Sequence, residues 1–232
     1  LSHVRIYNLI VSDVLGDNLQ TIASGPTVSP GSTDPRAILE NFDISFTMPD
    51  IAQPGQLPTP PTSIVANVSI AIDAAAEAAA ELGYAPVILT RTIDGEAREA
   101  ARFIAGMIVD STCGATSFEP GTCLLAGGET VVTVRGSGLG GRNSEAALAA
   151  AIRLSSVPNV ALGFLATDGD DGVTSAAGCI VDGETVPAEN VRDACVALVD
   201  NDSFGFLRER EAALQTGPTG TNVNDLIIGL IG

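Results

Sequence analysis

What this 232-residue chain lacks narrows its chemistry before any motif is considered. It contains no lysine: all 11 basic residues are arginine, against 28 aspartates and glutamates, for a formal charge of −17. That balance argues against nucleic acid or an anionic membrane as a partner, because both need a basic footprint to displace counterions. A small-molecule ligand is expected instead. Acidity without lysine resembles the solvated carboxylate shells of salt-loving organisms, although a GC-rich genome also trades lysine for arginine. Scattered acids such as Glu96, Glu99, Glu189, Asp193, Glu209 and Glu211 read as solvated helix faces. Histidine is nearly absent, and the single His3 argues against Ser-His-Asp and Cys-His nucleophile systems within this chain. The four cysteines (Cys113, Cys123, Cys179, Cys195) show no C-x-x-C spacing and cannot form a zinc site with one histidine. Reduced, mostly buried thiols in a cytoplasmic protein are therefore expected. No apolar run approaches the ~20 residues of a membrane span, and no charged-then-apolar leader opens the chain. Because Leu1 is not an initiator methionine and strand-like sequence begins at once, a fragment entering mid-fold is expected.

What is present is ordinary globular material, 45% hydrophobic and long enough to bury a full core in one or two domains. Residues 4–11 form an apolar run of the buried-strand type that ends in the acidic turn around Asp13. In open α/β sheets, ligands gather at such strand ends. A turn at residues 23–27, including Ser24, precedes a short helix opened by Asp34-Pro35. A proline-rich stretch over residues 49–63 reads as a linker. Beyond it, helices are predicted at 67–82, 96–109, 142–154, 188–199 and 203–211. Strands are predicted at 85–90, 122–126, 130–135, 160–166 and 225–231. The alternation implies an α/β fold with a largely parallel sheet covered by helices on both faces.

The most informative stretch is GGETVVTVRGSGLGGRNSE at 127–145, a β-branched run leading through a glycine-dense loop into an alanine-rich helix. Glycines let backbone N–H groups approach a ligand, and a helix N-terminus adds partial positive charge, so this reads as an anion-binding loop. Gly136, Gly138 and Gly141 satisfy G-x-G-x-x-G, with Gly128, Gly140, Ser137 and Arg135 in the same stretch. A dinucleotide fold also wants an acid about 20 positions on. Residues 155–166 contain none. Arg142 lies in the first helical turn, where a cation opposes the helix dipole unless it faces an anion such as a phosphoryl group. The alternative is a tight turn in which Arg142 pairs with Glu145 or Glu129. Asp168, Asp170 and Asp171 follow a buried strand in TDGDDG, a pattern suited to an oxygen-ligand cation or to a plain Asp-Gly turn. Of these, Asp168 is the candidate for Mg²⁺. The polar loop TGPTGTNVND at 216–225, with Asn222, Asn224 and Asp225, suits a hydroxyl-rich or phosphorylated ligand, or a simple Asx-bonded turn. Asn201-Asp202-Ser203 reads as the cap of the helix after it.

Taken together, LIVSDVLGD (9–17), IASGPT (22–27), the 127–145 stretch, TDGDDGVTSAAG (167–178), NDSFG (201–205) and TGPTGTNVNDL (216–226) resemble the glycerate 2-kinase family, whose C-terminal part is called MOFRL. The resemblance implies ATP-dependent phosphorylation of D-glycerate to 2-phosphoglycerate between two α/β domains. Here these would be the tail of a flavodoxin-like kinase N-terminal domain (1–48), the linker (49–63) and a MOFRL-type domain (64–232). It implies D-glycerate and a nucleotide as ligands, Mg²⁺ with the ATP, and room for a homodimer. Arg142, in the family's GGRN pattern with Asn143, would contact the substrate or the transferring phosphoryl group. Glu129, Asp168, Asn222, Asn224 and Asp225 would line the same cleft. Asp168, or Asp13 from the other domain, would hold Mg²⁺ or accept the substrate hydroxyl proton. The family's SGGGSA-type segment and N-terminal lysine do not occur here, so activity is expected to require a further N-terminal half. An NAD(P)-dependent hydroxypyruvate reductase and a non-catalytic binding module are the alternatives. Arg142→Ala is expected to abolish phosphorylation with thermal unfolding nearly unchanged.

Overall fold

The computed structural model describes residues 4–28, 35–47 and 60–232; His3, Asp34 and most of the expected linker lie outside these. Strand β1 (Asn8–Val11) leads to an exposed turn, and helix α1 (Pro35–Asn41) follows. Strand β2 (Thr62–Ala66), hidden in sequence at the end of the proline-rich stretch, pairs in parallel with β1. The chain on either side of the expected linker is thereby joined by a hydrogen-bonded ladder.

Helix α2 (Val68–Glu81) starts where the Asn67 side chain accepts the Ile70 N–H at 2.8 Å, and ends before Gly83 at φ +88°. An alanine-rich segment with an asparagine cap and a glycine stop forms a helix for local reasons. Then come β3 (Ala85–Ile93), α3 (Ala97–Thr112), β4 (Thr122–Gly128), α4 (Arg142–Leu154) and β5 (Val160–Ala166). Strand β6 (Gly178–Asp182), a short 3-10 turn, α5 (Val191–Val199), α6 (Ser203–Arg208), β7 (Ala213–Leu214) and β8 (Asp225–Ile231) complete the chain. Among the described residues no helix is long and apolar enough to cross a membrane.

The α/β class agrees with expectation, but the strand directions need correcting. The main sheet has the order β3-β4-β8-β5-β6-β7, and within it only β3 and β4 pair in parallel. Strand β8 enters antiparallel between β4 and β5 and bonds to both along its seven residues. Helix-linked β4 and β5 still run the same way, as a β-α-β unit requires, but the last strand separates them. The sheet is mixed. A second correction concerns residues 130–135, where only Val131 bridges to Glu96 and no strand forms. Thr133 instead donates both its N–H and its hydroxyl to the Glu96 carboxylate, and Val131 and Val134 lie exposed.

One face of the sheet packs Leu124, Leu162, Phe164, Val181 and Ile227 against Ile104, Ile108, Leu148, Leu154, Leu198 and Leu207. Residues 143–151 of α4 are all buried, and their alanines let α3 and α4 approach closely. Over residues 146–152 the helix is apolar on all sides, which suits a place inside the core. On the other face, α2 sets Val68 and Ile72 over Cys123 and Leu125. The glycines ending β4 permit two close approaches: a Cβ on Gly127 would lie 2.5 Å from Val68 of α2, and one on Gly128 (φ +149°) would lie 2.2 Å from the Ile93 carbonyl oxygen of β3.

All four cysteines are free; Cys123 and Cys179 are buried, Cys195 is half-buried and Cys113 is exposed. Burial raises the Cys123 thiol and pushes that of Cys179 up to about 12, which leaves almost no thiolate at neutral pH. A maleimide reagent at pH 8 is expected to modify Cys113 in the folded protein and to reach Cys179 and Cys123 only in denaturant. Peptide mass mapping checks this.

Candidate functional site

Three chain segments meet at one edge of the sheet: the end of β4, the start of β8 and the start of α4. Gly128 and Asp225 are partners in the β4–β8 ladder, and Ala166 at the end of β5 faces Asp225 from the other side. Glu129, just past β4, is anchored by its N–H to the Ile93 carbonyl at 2.9 Å. Arg142 opens α4 and reaches back over this edge. Its Nε and Nη2 donate to the two oxygens of Asp225 at 2.5 and 2.9 Å, and its Nη1 lies 3.3 Å from Glu129 Oε1. Asn224, in the left-handed conformation at φ +68°, donates from Nδ2 to the Asp13 carbonyl at 2.6 Å and to Glu129 Oε2 at 3.2 Å. Asp13, Glu129, Arg142, Asn224 and Asp225 are thus brought together.

The Arg142–Asp225 pair is a two-point fork. Asp225 is 4% exposed; its burial raises its carboxyl above the ordinary range, against the pull of the Arg142 guanidinium. The bond to Asp225 holds Arg142 above its ordinary value, with the charges of Asp225 and Glu129 adding to it. Asn143 Nδ2 and Asn224 Oδ1 are buried with no hydrogen-bond partner among the described residues.

The glycine loop does something other than expected. Its N–H groups are not bare: those of Arg135 and Gly136 donate to Asn201 Oδ1 at 2.8 and 2.9 Å, that of Ser137 to Asp200, that of Gly138 to the Asp200 carbonyl, and that of Leu139 to Asp202. A Cβ at Gly136 or Gly138 would sit 2.2 or 2.3 Å from Asp200 or Asp202. The G-x-G-x-x-G spacing therefore permits backbone-to-backbone packing against residues 200–203, which corrects the anion-cradle reading. Asn201-Asp202, expected to cap α6, makes no side-chain cap there and serves this loop instead.

The start of α4 is likewise occupied. Asp171, fully buried, accepts the N–H groups of Asn143 and Ser144 at 2.8 Å each, while Ser144 Oγ accepts that of Gly141 at 2.8 Å. A carboxylate capping a helix from a distant loop leaves no signal in sequence. Glu145 was equally hidden: it is buried, and it pairs with Arg98 Nε and Asn201 Nδ2 at 2.8 Å each. Arg142 accordingly pairs with Glu129 and Asp225 and makes no bond to Glu145.

A cavity of about 630 Å³ opens in front of this cluster; Leu15, Glu129, Gly138, Gly140, Gly141, Arg142, Glu145, Val173 and Asn201 are among its walls. A separate depression of about 560 Å³ around Asp182 and Arg210 shares no residue with it. Asp168 is half-buried and accepts the Asp170 N–H at 3.0 Å; it lies beside the cluster rather than on the cavity wall. The 167–168 segment is knitted to the 216–224 loop through Thr219 and Val223. Asn222 accepts the Asn224 N–H at 3.0 Å and thereby shapes that loop. Arg135 and Ser24 are exposed and outside the cavity wall. Among the described residues no three His, Cys, Asp or Glu side chains could hold a metal ion together.

The MOFRL family profile matches residues 122–225, and a domain of unknown function, DUF4147, matches residues 1–53. A D-glycerate 2-kinase of Thermotoga maritima is 43% identical over 98% of this chain and 57% of its own length. Nearly the whole chain is thus similar to part of a glycerate 2-kinase. A glycerate 2-kinase of Pyrococcus horikoshii is 39% identical over 96% of this chain and 55% of the relative. A crystal structure of glycerate kinase from Thermotoga maritima superposes with a TM-score of 0.90 at 42% identity, covering 98% of this chain and 57% of that one. The chain therefore spans somewhat more than half the length of the glycerate 2-kinases it matches. Hydroxypyruvate reductase also occurs in the name of a relative from Agrobacterium vitis, 35% identical over 98% of this chain.

Replacing Asp171 by alanine strands two buried N–H donors at the start of α4. A loss of about 2 kcal/mol in urea unfolding is expected. Asp171→Asn, which keeps one acceptor oxygen, is expected to lose less.

Proposed function

We propose that this chain is the C-terminal part of a glycerate 2-kinase, which transfers the terminal phosphoryl group of ATP to the 2-hydroxyl of D-glycerate. The observation that carries this reading is Arg142, held on the wall of a ligand-sized cavity by a buried carboxylate in a family of glycerate kinases. Phosphoryl transfer asks the protein chiefly for positioning and for cancellation of charge on the transferring group. Asp225 takes Nε and Nη2, so the guanidinium cannot swing, and Nη1 is the corner presented with Glu129 to the cavity. The reductase alternative is disfavoured because the G-x-G-x-x-G amides that would cradle a dinucleotide already donate to residues 200–202.

The nucleotide brings its Mg²⁺ as part of the substrate, and Mg²⁺ on phosphates needs only one or two protein carboxylates. Asp168 is the one we assign to it. Unpaired buried thiols fit a reducing, cytoplasmic setting. The domain division at residues 49–63 also belongs to this proposal. Incubation of the natural-length protein with ATP, Mg²⁺ and D-glycerate is expected to yield 2-phosphoglycerate by ³¹P NMR, and absence of product would overturn the reading. Asp168→Asn is expected to shift the Mg²⁺ titration of activity upward; an unchanged titration would remove Asp168 from that role.

The structure also revises what Arg142→Ala should do. Activity is expected to fall about 10³-fold or more. Stability falls too, by about 3 kcal/mol at neutral pH, because Asp225 is left buried without its partner. Without the guanidinium, the Asp225 carboxyl titrates above its unfolded value. The folded variant is then favoured at low pH and loses that advantage as pH rises through the interval between the two values. The urea midpoint deficit against wild type is therefore expected to be larger at pH 8 than at pH 5. Adding Asp225→Asn should recover stability and not activity.

A further inference from the structure

We infer that Glu129 is the group that accepts the proton of the hydroxyl being phosphorylated, an assignment that rests on the kinase reading above. Two carboxylates line the cavity, Glu129 and Glu145. The Glu145 side chain is 1% exposed, and each of its oxygens is engaged at 2.8 Å, one by Arg98 and the other by Asn201. It is saturated. The Glu129 side chain is 44% exposed, and its two contacts, to Arg142 at 3.3 Å and Asn224 at 3.2 Å, are long and one-sided. A carboxylate offers about four lone-pair directions, so most of its accepting capacity faces the open cavity. The other two candidate acids meet the site differently. Asp168 is off the cavity wall with one oxygen bonded to its own loop, and Asp13 enters through its carbonyl.

Glu129 is also held where a base must be held. Its backbone N–H is tied to Ile93, and Gly128 before it is pressed against the same carbonyl, so the side chain projects from a rigid strand end. Its nearest cation is Arg142. A substrate hydroxyl bonded to Glu129 thus lies beside the guanidinium that neutralises the incoming phosphoryl oxygens. As the substrate oxygen bonds to phosphorus, the bond from phosphorus to the bridging oxygen of the nucleoside diphosphate breaks, and its electron pair leaves with that oxygen. The hydroxyl proton passes to a Glu129 Oε and later to water. Protonation removes a negative charge next to the arriving phosphoryl group and releases Arg142 Nη1 from its shared ion pair. Proton acceptance and charge cancellation are coupled through one contact.

The test is steady-state kinetics of the natural-length enzyme. The charged groups facing Glu129 are Arg142 of α4, Asp225 of β8 and the Asp13 turn after β1, with Arg98 and Glu145 paired behind the cavity wall. These stay unchanged in the comparison. Glu129→Gln is expected to lower kcat at least 100-fold with KM for D-glycerate within about fivefold of wild type. It should also lose the low-pH limb of the kcat profile. Glu129→Ala is expected to regain activity, saturably, with added sodium formate. Urea midpoints near wild type establish that both variants are folded. Wild type without turnover overturns the kinase reading and this assignment together. An active wild type with Glu129→Gln within threefold of it overturns the assignment alone. So does a large loss in Glu129→Gln that keeps the low-pH limb while Glu129→Ala shows no formate rescue, since that pattern belongs to a residue that only holds Arg142.

Discussion

A single ion pair organises the functional edge of this molecule: Arg142 at the start of α4 forked onto Asp225 at the start of β8. A buried carboxylate is costly unless a cation and hydrogen bonds compensate it. The fold meets that requirement by aiming the first residue of its most buried helix at the first residue of its central strand. The same bonds that make Asp225 tolerable remove the rotational freedom of the guanidinium. Structural need and chemical readiness are met by one contact.

Around this pair the supporting polar groups are nearly all committed. Asp171 caps α4, Glu145 and Asn201 brace the glycine loop, and Asp200 and Asp202 take the amides of Ser137, Gly138 and Leu139. Buried acids working as acceptors explain part of the chain's negative balance in terms other than surface solvation. Against that committed background, Glu129 stands out by its exposure and long contacts, and Asn224 by an acceptor oxygen left without a partner among the described residues.

Much of the fold was legible locally. Asn67 and Gly83 bound α2, the β-branched and aliphatic run at 160–166 is a strand, and Arg142 does open a helix. The misreadings share a cause. Residues 130–135 have strand-like composition, but they find no ladder partner beyond Val131, and a strand is defined by its neighbour. The mixed sheet arises because β8 inserts between β4 and β5, a long-range choice that alternation of strands and helices does not encode. In the site, the GGRN and TNVND stretches were recognisable, and Glu129, Arg142, Asn224 and Asp225 do converge. The partner of the glycine loop was not recognisable, because residues 200–203 lie more than 60 positions away.

The sequence by itself determined which side chains were available: one arginine in a glycine-flanked helix start, acids at strand ends, and no histidine or lysine nearby. It also determined the helices and strands whose limits are set by caps and patterning within a few residues. Tertiary structure alone decided what those groups do, placing Asp225 under the guanidinium, closing the loop amides against Asn201 and leaving Glu129 open to the cavity. The reason is physical: local conformation depends on neighbours in the chain, whereas charge pairing, desolvation and access to a ligand depend on neighbours in space.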